Sequence, residues 1–189
     1  SSVEVFCNAG EQVTLPVIKD FLHFTEPFNV KTENMQPAYG MAEASTVICY
    51  CTGFDYKKHV HFIEKVSLSG NLKKVEEEAP DTVSFIGQGA PNPGLKIRIV
   101  DNDDNIMPEK KIGRVQLTSE TVMPGYLYND KANEEAFAKD GWYNTGDLGF
   151  LLDGELTITG REKDVIVVYG ANFYCADIEA VVNDIHGVV

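Results

Sequence analysis

Between positions 83 and 128 the chain repeats one pattern, a short run of β-branched and aromatic residues followed by a break. VSFIG, LKIRIVD, GRVQLTS and MPGYLY are the runs, and PNPG and DNDDNIMPEKKIG are the strongest breaks among them. Pro cannot donate to a strand ladder and Gly adopts geometry closed to other residues, so such breaks turn the chain back on itself. The stretch GWYNTGDLGFLLDGELTITGREKDVIVVYG, 141–170, adds further strands punctuated by Asp147, Arg161, Lys163 and Asp164. Short strands at this spacing predict a small barrel or folded sheet.

Before position 83 the rhythm differs. Residues 3–7 read as a short strand. Val13, Val17, Phe21 and Phe24 recur at helical spacing within Glu11–Thr25, and Pro16 limits where that helix can start. MQPAYG, 35–40, reads as a break, because Pro37 restricts Gln36 and Gly40 is conformationally free. Ala42 to Cys51 is expected to begin as a helical turn and continue as a strand. Positions 53–81, rich in lysine and glutamate, predict short strands around a turn at Ser69-Gly70-Asn71, with His59 and His61 together on a surface face. Farther on, Lys131–Phe137 is expected as a short helix, and ADIEAVVNDI, 176–185, as an amphipathic one beginning near Asp177.

A net charge of −13 argues against nucleic acid or an anionic membrane surface as partner, since both are held by basic patches. A nucleotide is not excluded, because a few placed groups hold its phosphates. No apolar run approaches the roughly 20 residues of a membrane span, and SSVEVFCNAGEQV lacks the basic start and apolar core of a signal peptide. Of the four cysteines, Cys49 and Cys51 place both thiols on one face of a strand, without the further ligands a zinc site needs. Buried free thiols in a reducing cytosol are expected, and with them a cytoplasmic protein.

Three clusters carry chemistry. In PAYGMAEAS, 37–45, an aromatic beside Gly can stack on a flat ring, and the carboxylate of Glu43 can hold a magnesium ion that bridges phosphates. Tyr39 as a core aromatic and Glu43 as a helix N-terminal residue are equally open on these residues alone. In TGDLG, 145–149, a turn aspartate can accept two hydrogen bonds from a diol, or it can bond its own backbone. In GREKD, 160–164, Arg161 can add a second grip, or the segment is a charged hairpin turn.

In this order and spacing the clusters resemble the signatures of the adenylate-forming superfamily of acyl-CoA synthetases, nonribosomal-peptide adenylation domains and luciferases. Its signatures YG(M/L)(T/A)E, (W/Y)xxTGD and GRxxDxI stand here as YGMAE, WYNTGD and GREKDVI. The similarity runs through nearly the whole chain, including NAGEQV at 8–13 and MPGYLYNDKANEEAF at 123–137. TGDLGFLLDGEL, GREKDVI and NFYCADIE look closest to the fatty acyl-AMP ligase branch. Ala171 stands where many members carry Arg, and Cys175 where Pro is usual, which bears on local loop geometry.

The resemblance implies an α/β fold: part of the large domain, with an α/β subdomain and a small β-barrel subdomain, and the start of a small α+β C-terminal domain. It divides the chain into 1–82, with a family-specific insertion at about 53–81, then 83–160, and 161–189 for the hinge and small domain. Tyr39 and Gly40, with backbone from Asn8, Ala9 and Gly10, are then expected against adenine. Glu43 would bind Mg2+, Asp147 and Arg161 the ribose hydroxyls, and Lys163 would be the hinge about which the small domain rotates. The reaction implied joins a fatty acid to AMP from ATP, releases pyrophosphate, and passes the acyl group to the phosphopantetheine thiol of an acyl carrier protein.

Two parts of the superfamily pattern are not found within these 189 residues: the Ser/Thr/Gly-rich phosphate loop, expected well before the tyrosine motif, and the catalytic lysine, expected beyond the last residue. The expectation is therefore an internal piece that adenylates poorly by itself. Other readings are an acyl-CoA synthetase, an amino-acid adenylation domain, or a catalytically inactive adenylate-binding module.

Overall fold

Proline has no N–H and a fixed φ, so within a helix it belongs in the first turn. After strand β1 (Phe6–Asn8), helix α1 (Leu15–Thr25) places Pro16 there. Leu15, Ile18 and Thr25 of α1 are buried, whereas Val17 and Phe24 are exposed. Of the expected row, Val13 is buried and Phe21 packs on the core, whereas Val17 and Phe24 face outward. Leu15, Ile18 and Leu22 form a second apolar row, and that row meets the core.

The computed structural model describes residues 3–168 and 171–175, with residues 178, 181, 182, 185 and 187. Of the helix expected at 176–185, Ile178, Val181 and Val182 are helical, and residues 176, 177, 179, 180, 183 and 184 lie outside the described residues. Residues 35–40 are not a break. Met35–Tyr39 form β2, parallel to β1, with Phe6 opposite Met35 and Asn8 opposite Pro37. Pro37 is accommodated because β1 ends opposite it, and its carbonyl accepts from the Cys51 N–H at 2.8 Å. As expected, a helical turn (Ala42–Ala44) then leads into strand β3 (Cys49–Tyr50), antiparallel to β2.

Helix α2 (Tyr56–His59) is capped by the Asp55 carboxylate, which accepts from the Lys58 N–H at 3.0 Å. Strands β4 (Val60–Glu64) and β5 (Lys74–Val75) follow, and the expected turn at Ser69–Asn71 lies between them. Then come β6 (Thr82–Gly89), β7 (Lys96–Val100) and β8 (Gly113–Thr118). Helix α3 (Asp130–Ala136), capped by the Asn129 side chain, precedes β9 (Tyr143–Leu152) and β10 (Glu155–Arg161). A pair, β11 (Val165–Val168) and β12 (Ala171–Tyr174), follows. MPGYLY, expected as a strand, is loop: Gly125 (φ +149°) and Tyr128 (φ +54°) turn the backbone out of extended geometry.

The fold is α/β. The order β1-β2-β3 makes a small sheet, and β5-β4-β6-β10-β9-β8-β7 makes a curled seven-stranded one whose neighbours are all antiparallel. One core joins α1 and β2 to β4 and β6 through Ile18, Met35, Val60 and Ile86. Another joins the loop at Ala44–Cys49 to β7–β10 through Ile99, Leu117, Tyr143 and Leu156. These contacts fix the ends of the small sheet against the curled one. No helix among the described residues is long and apolar enough to cross a membrane.

His59 and His61 are not surface residues; both are buried. Strand β4 runs between β5 and β6, His59 stacks on Phe54, and His61 rests against Phe150, so alternation gave a shared periodicity but not an exposed face. Burial pushes the His61 imidazole down to about 4. Cys49 and Cys51 are buried free thiols as expected, but Cys7 is exposed and Cys175 half-buried.

Candidate functional site

β1 and β2 run parallel, so their carboxyl ends emerge side by side. In open α/β sheets that edge is where ligands settle, because the strands stop and loops diverge there. Asn8 ends β1 half-buried, and Ala9 and Gly10 follow exposed, Gly10 at φ +95°. Tyr39 ends β2, and Gly40 lets the next loop fold back onto it. A Cβ at Gly40 would lie 1.5 Å from the Thr46 carbonyl oxygen, so only glycine fits this approach. The fold-back is held by the N–H of Ile48 donating to Tyr39 O and that of Thr46 to Met41 O, both at 2.9 Å.

Asp147 comes to this edge from the curled sheet. TGDLG is not a turn, as expected, but lies inside β9. Its ladder is irregular on both sides: register slips between Arg114 and Gln116 on β8 and between Ile158 and Gly160 on β10, and Gly146 has φ +78°. Bulges of this kind re-aim a side chain. Here the Asp147 carboxylate is turned to Tyr39, whose phenol donates to Oδ2 at 2.5 Å. The backbone N–H of Asp147 donates to Thr145 Oγ1 at 3.1 Å, and that hydroxyl donates to Val115 O at 3.0 Å.

Arg161 is the register partner of Asp147 on β10, with Nε 3.6 Å from Oδ1. Asp147 is buried and Arg161 largely exposed. Burial raises the Asp147 carboxyl above its usual range, the Tyr39 hydrogen bond and the Arg161 charge oppose that, and Asp164 adds to it. Burial, and then Asp147, holds the Tyr39 phenol protonated well above its usual range. The segment after Asn8 is tied in as well, since Gln12 Nε2 donates to Thr159 O at 3.2 Å, two residues before Arg161.

Glu43 sits half-buried in the helical turn after Gly40. Tyr126 donates to its Oε1 at 3.0 Å and also touches the Tyr143 hydroxyl at 3.2 Å. No group of three or more His, Cys, Asp or Glu among the described residues could hold a metal ion. One half-buried carboxylate with Oε2 left over does fit magnesium in its usual role beside a nucleotide, where one or two carboxylates share the ion with phosphate oxygens. Lys163 lies exposed in the helical turn Glu162–Asp164 that links β10 to β11. The structure thus brings Tyr39, Gly40, Asp147 and Arg161 together, places Asn8–Gly10 on the adjoining strand end, and puts Lys163 in the connection that leaves the sheet. No role is expected for Tyr126, Tyr143 or Thr145 from the sequence; the similarity at 123–137 contains Tyr126 and WYNTGD contains Tyr143 and Thr145, but nothing local indicates that Tyr126 meets Tyr143 and Glu43.

Fold and site together define a protein of the adenylate-forming superfamily. Residues 1–127 match the family model described as AMP-binding enzyme, and the chain belongs to that family. Among curated relatives, the 4-hydroxyphenylalkanoate adenylyltransferase of Mycobacterium tuberculosis is 31% identical over 197 residues, covering 98% of this chain and 32% of its own. Among solved structures, the adenylation domain of a keto acid-selecting NRPS module bound to keto acyl adenylate is 41% identical with a TM-score of 0.83, over 98% of this chain and 35% of that one. A fatty acyl-adenylate ligase from a study of the E. coli and L. pneumophila enzymes is 26% identical with a TM-score of 0.85, over 98% and 34%. The chain spans about a third of the length of these relatives.

Proposed function

We propose that the chain supplies the nucleoside grip of an ATP-dependent ligase that activates a carboxylic acid, expected to be a fatty acid, as its acyl-adenylate. The observation that carries this is the Tyr39–Asp147 contact, which sets an aromatic ring at the end of one sheet beside a carboxylate from the other. The ring would cover adenine with backbone from Asn8, Ala9 and Gly10, and Asp147 would accept the ribose hydroxyls at the lone pairs that Tyr39 does not use. Arg161, being exposed, would close over the same ribose.

A carboxylate cannot expel oxide, so its oxygen attacks the α-phosphorus of ATP and pyrophosphate leaves; AMP then becomes the leaving group when a thiol attacks the acyl carbon. No protein nucleophile is needed. What the protein contributes is alignment for in-line attack and screening of charge. Mg2+, held by Glu43, would supply that screening at the phosphates. The thiol is proposed to be the phosphopantetheine of an acyl carrier protein, reached by rotation about Lys163, and the location cytoplasmic. The division at 82 and 160, with the family-specific insertion at about 53–81, belongs to the same proposal.

A keto- or amino-acid adenylation domain is the second reading. The 41% identity to the keto acid-selecting domain, against 26% to the fatty acyl-adenylate ligase, favours it. Hydroxamate trapping with the full-length protein separates the two: long-chain acids alone as substrates support the first, keto or amino acids alone the second. No adenylate from any carboxylic acid overturns both.

A further inference from the structure

Tyr126 is held more firmly than a loop residue needs to be. Asn133, on α3, accepts from the Tyr126 N–H with Oδ1 at 2.6 Å and donates to the Tyr126 carbonyl with Nδ2 at 3.0 Å. One amide side chain thus clasps both backbone groups of one residue. The clasp requires close approach at the preceding position, since a Cβ on Gly125 would meet Asn133 Oδ1 at 3.0 Å, and Gly125 has φ +149°. The loop is pinned to the Glu43 turn a second time by the Met123 N–H, which donates to Glu43 O at 2.8 Å, and a third by Ser45 Oγ, which donates to Thr121 O at 3.1 Å.

The side chain so fixed reaches Glu43. The Tyr126 phenol has one hydrogen, which goes to Glu43 Oε1 at 3.0 Å, so in the 3.2 Å contact with Tyr143 it is Tyr143 that donates. The result is a directed chain, Tyr143 to Tyr126 to Glu43, in which each bond polarises the next. Tyr143 opens β9 and is buried in the core, which anchors the chain to the curled sheet.

We infer that Tyr126 is a positioning residue that fixes the Glu43 carboxylate for a magnesium–nucleotide complex, engaging Oε1 so that Oε2 faces the ion. This rests on the proposed role of Glu43. A half-buried carboxylate on a short turn still has several rotamers, and a donor on one oxygen selects one of them. Groups that hydrogen-bond a metal ligand in this way are worth about 10- to 100-fold in metal affinity. The role belongs to the hydroxyl, while the ring packs as any aromatic would.

The test uses Mn2+ as a paramagnetic stand-in for Mg2+, with ATP, read by electron paramagnetic resonance on the chain. Metal-free AMP binding and thermal melting serve as controls. Tyr126→Phe is expected to weaken Mn2+ in the ATP complex about tenfold, leaving AMP affinity unchanged in a protein that still melts cooperatively. Asn133→Ala, which loosens the clasp without touching Glu43, should move the metal affinity in the same direction by less. Unchanged Mn2+ affinity in Tyr126→Phe overturns the inference, as does an equal loss of AMP affinity, which marks a general packing role. Glu43→Gln separates the underlying reading: if it leaves Mn2+ affinity unchanged, Glu43 is not the metal carboxylate and both fall, whereas a loss in Glu43→Gln alone rejects only Tyr126.

Discussion

Tyr39 and Asp147 stand 108 positions apart in the chain, and the phenol of one donates to the carboxylate of the other at 2.5 Å. The bond joins the end of β2 to the bulge in β9, so it is both a tie between sheets and part of the proposed nucleoside grip. Tyr39→Phe removes the donor and leaves a buried carboxylate short of a partner. The expected cost is about 2 kcal/mol of unfolding free energy at neutral pH, as for other hydrogen bonds to charged groups. Because that bond holds the Asp147 carboxyl down, its loss raises the carboxyl further. The cost should shrink as acid protonates Asp147, and urea melts at pH 7 and pH 4 measure it. Equal costs at both would contradict a charged acceptor.

Asp147→Asn has the opposite effect on the free protein. Burial raises the folded carboxyl above its unfolded value. The stability it contributes is therefore complete below about pH 3.9 and is lost as pH rises through the folded value. Asparagine resembles the protonated form at every pH. The variant should be more stable than the parent at pH 7, with the gap closing below about pH 4, while its affinity for AMP falls about tenfold or more through loss of the charged acceptor. Calorimetric titration with AMP beside urea melts reads both. A variant less stable than its parent at pH 7 would mean that Tyr39 and Arg161 outweigh burial.

Gly40→Ala tests the fold-back loop. The new methyl would overlap the Thr46 carbonyl at 1.5 Å, and backbone cannot yield as a flexible side chain does. Overpacking of this kind costs about 3 kcal/mol, seen as a lower denaturation midpoint. The same displacement moves Ala42–Ala44, so Glu43 should lose its bond to Tyr126. A variant with unchanged stability and metal response would show that the loop relaxes freely.

The motif residues were legible because each sits in a distinctive string, and strings survive without knowledge of packing. Their surroundings were not. Helix α1 carries apolar residues on more than one side, so the periodicity of Val13, Val17, Phe21 and Phe24 finds two core residues, Val13 and Phe21, and misses Leu15 and Ile18, which only contact with β4 and β6 singles out. TGDLG looked like a turn because Gly and Asp are turn residues, yet they are equally the residues of a bulge inside a strand. The Tyr126–Glu43 bond spans 83 positions and has no local signature at all.

His61 supplies a pH prediction away from the site. It is buried against Phe150 with Nδ1 unpartnered, and burial pushes it down to about 4. A histidine with a folded value below its unfolded value of about 6.5 contributes stability that is present above that pH and is lost as pH falls through the window to about 4. The full loss is about 3 kcal/mol at 1.36 kcal/mol per unit. His61→Gln, which takes up no proton, should flatten the stability curve between pH 6.5 and 4 relative to the parent. Parallel curves would place the acid sensitivity elsewhere, His59 first.

The cysteines separate by environment rather than by sequence. Burial pushes the Cys49 thiol up to about 12 and the Cys51 thiol up to about 11, and neither is accessible. Since the thiolate is the reactive form, both should resist an aromatic disulfide reagent at pH 8 in the folded protein. Cys7 is exposed beside Asn8 at the end of β1 and should react first. Cys175 is half-buried, and its Sγ donates to the Asp164 carbonyl at 2.9 Å, so it should follow more slowly. Four thiols are expected in denaturant, with two protected in buffer. If AMP occupies the edge where β1 ends, it should also slow Cys7 alone, and an unchanged Cys7 rate under saturating AMP would move the nucleoside away from Asn8–Gly10.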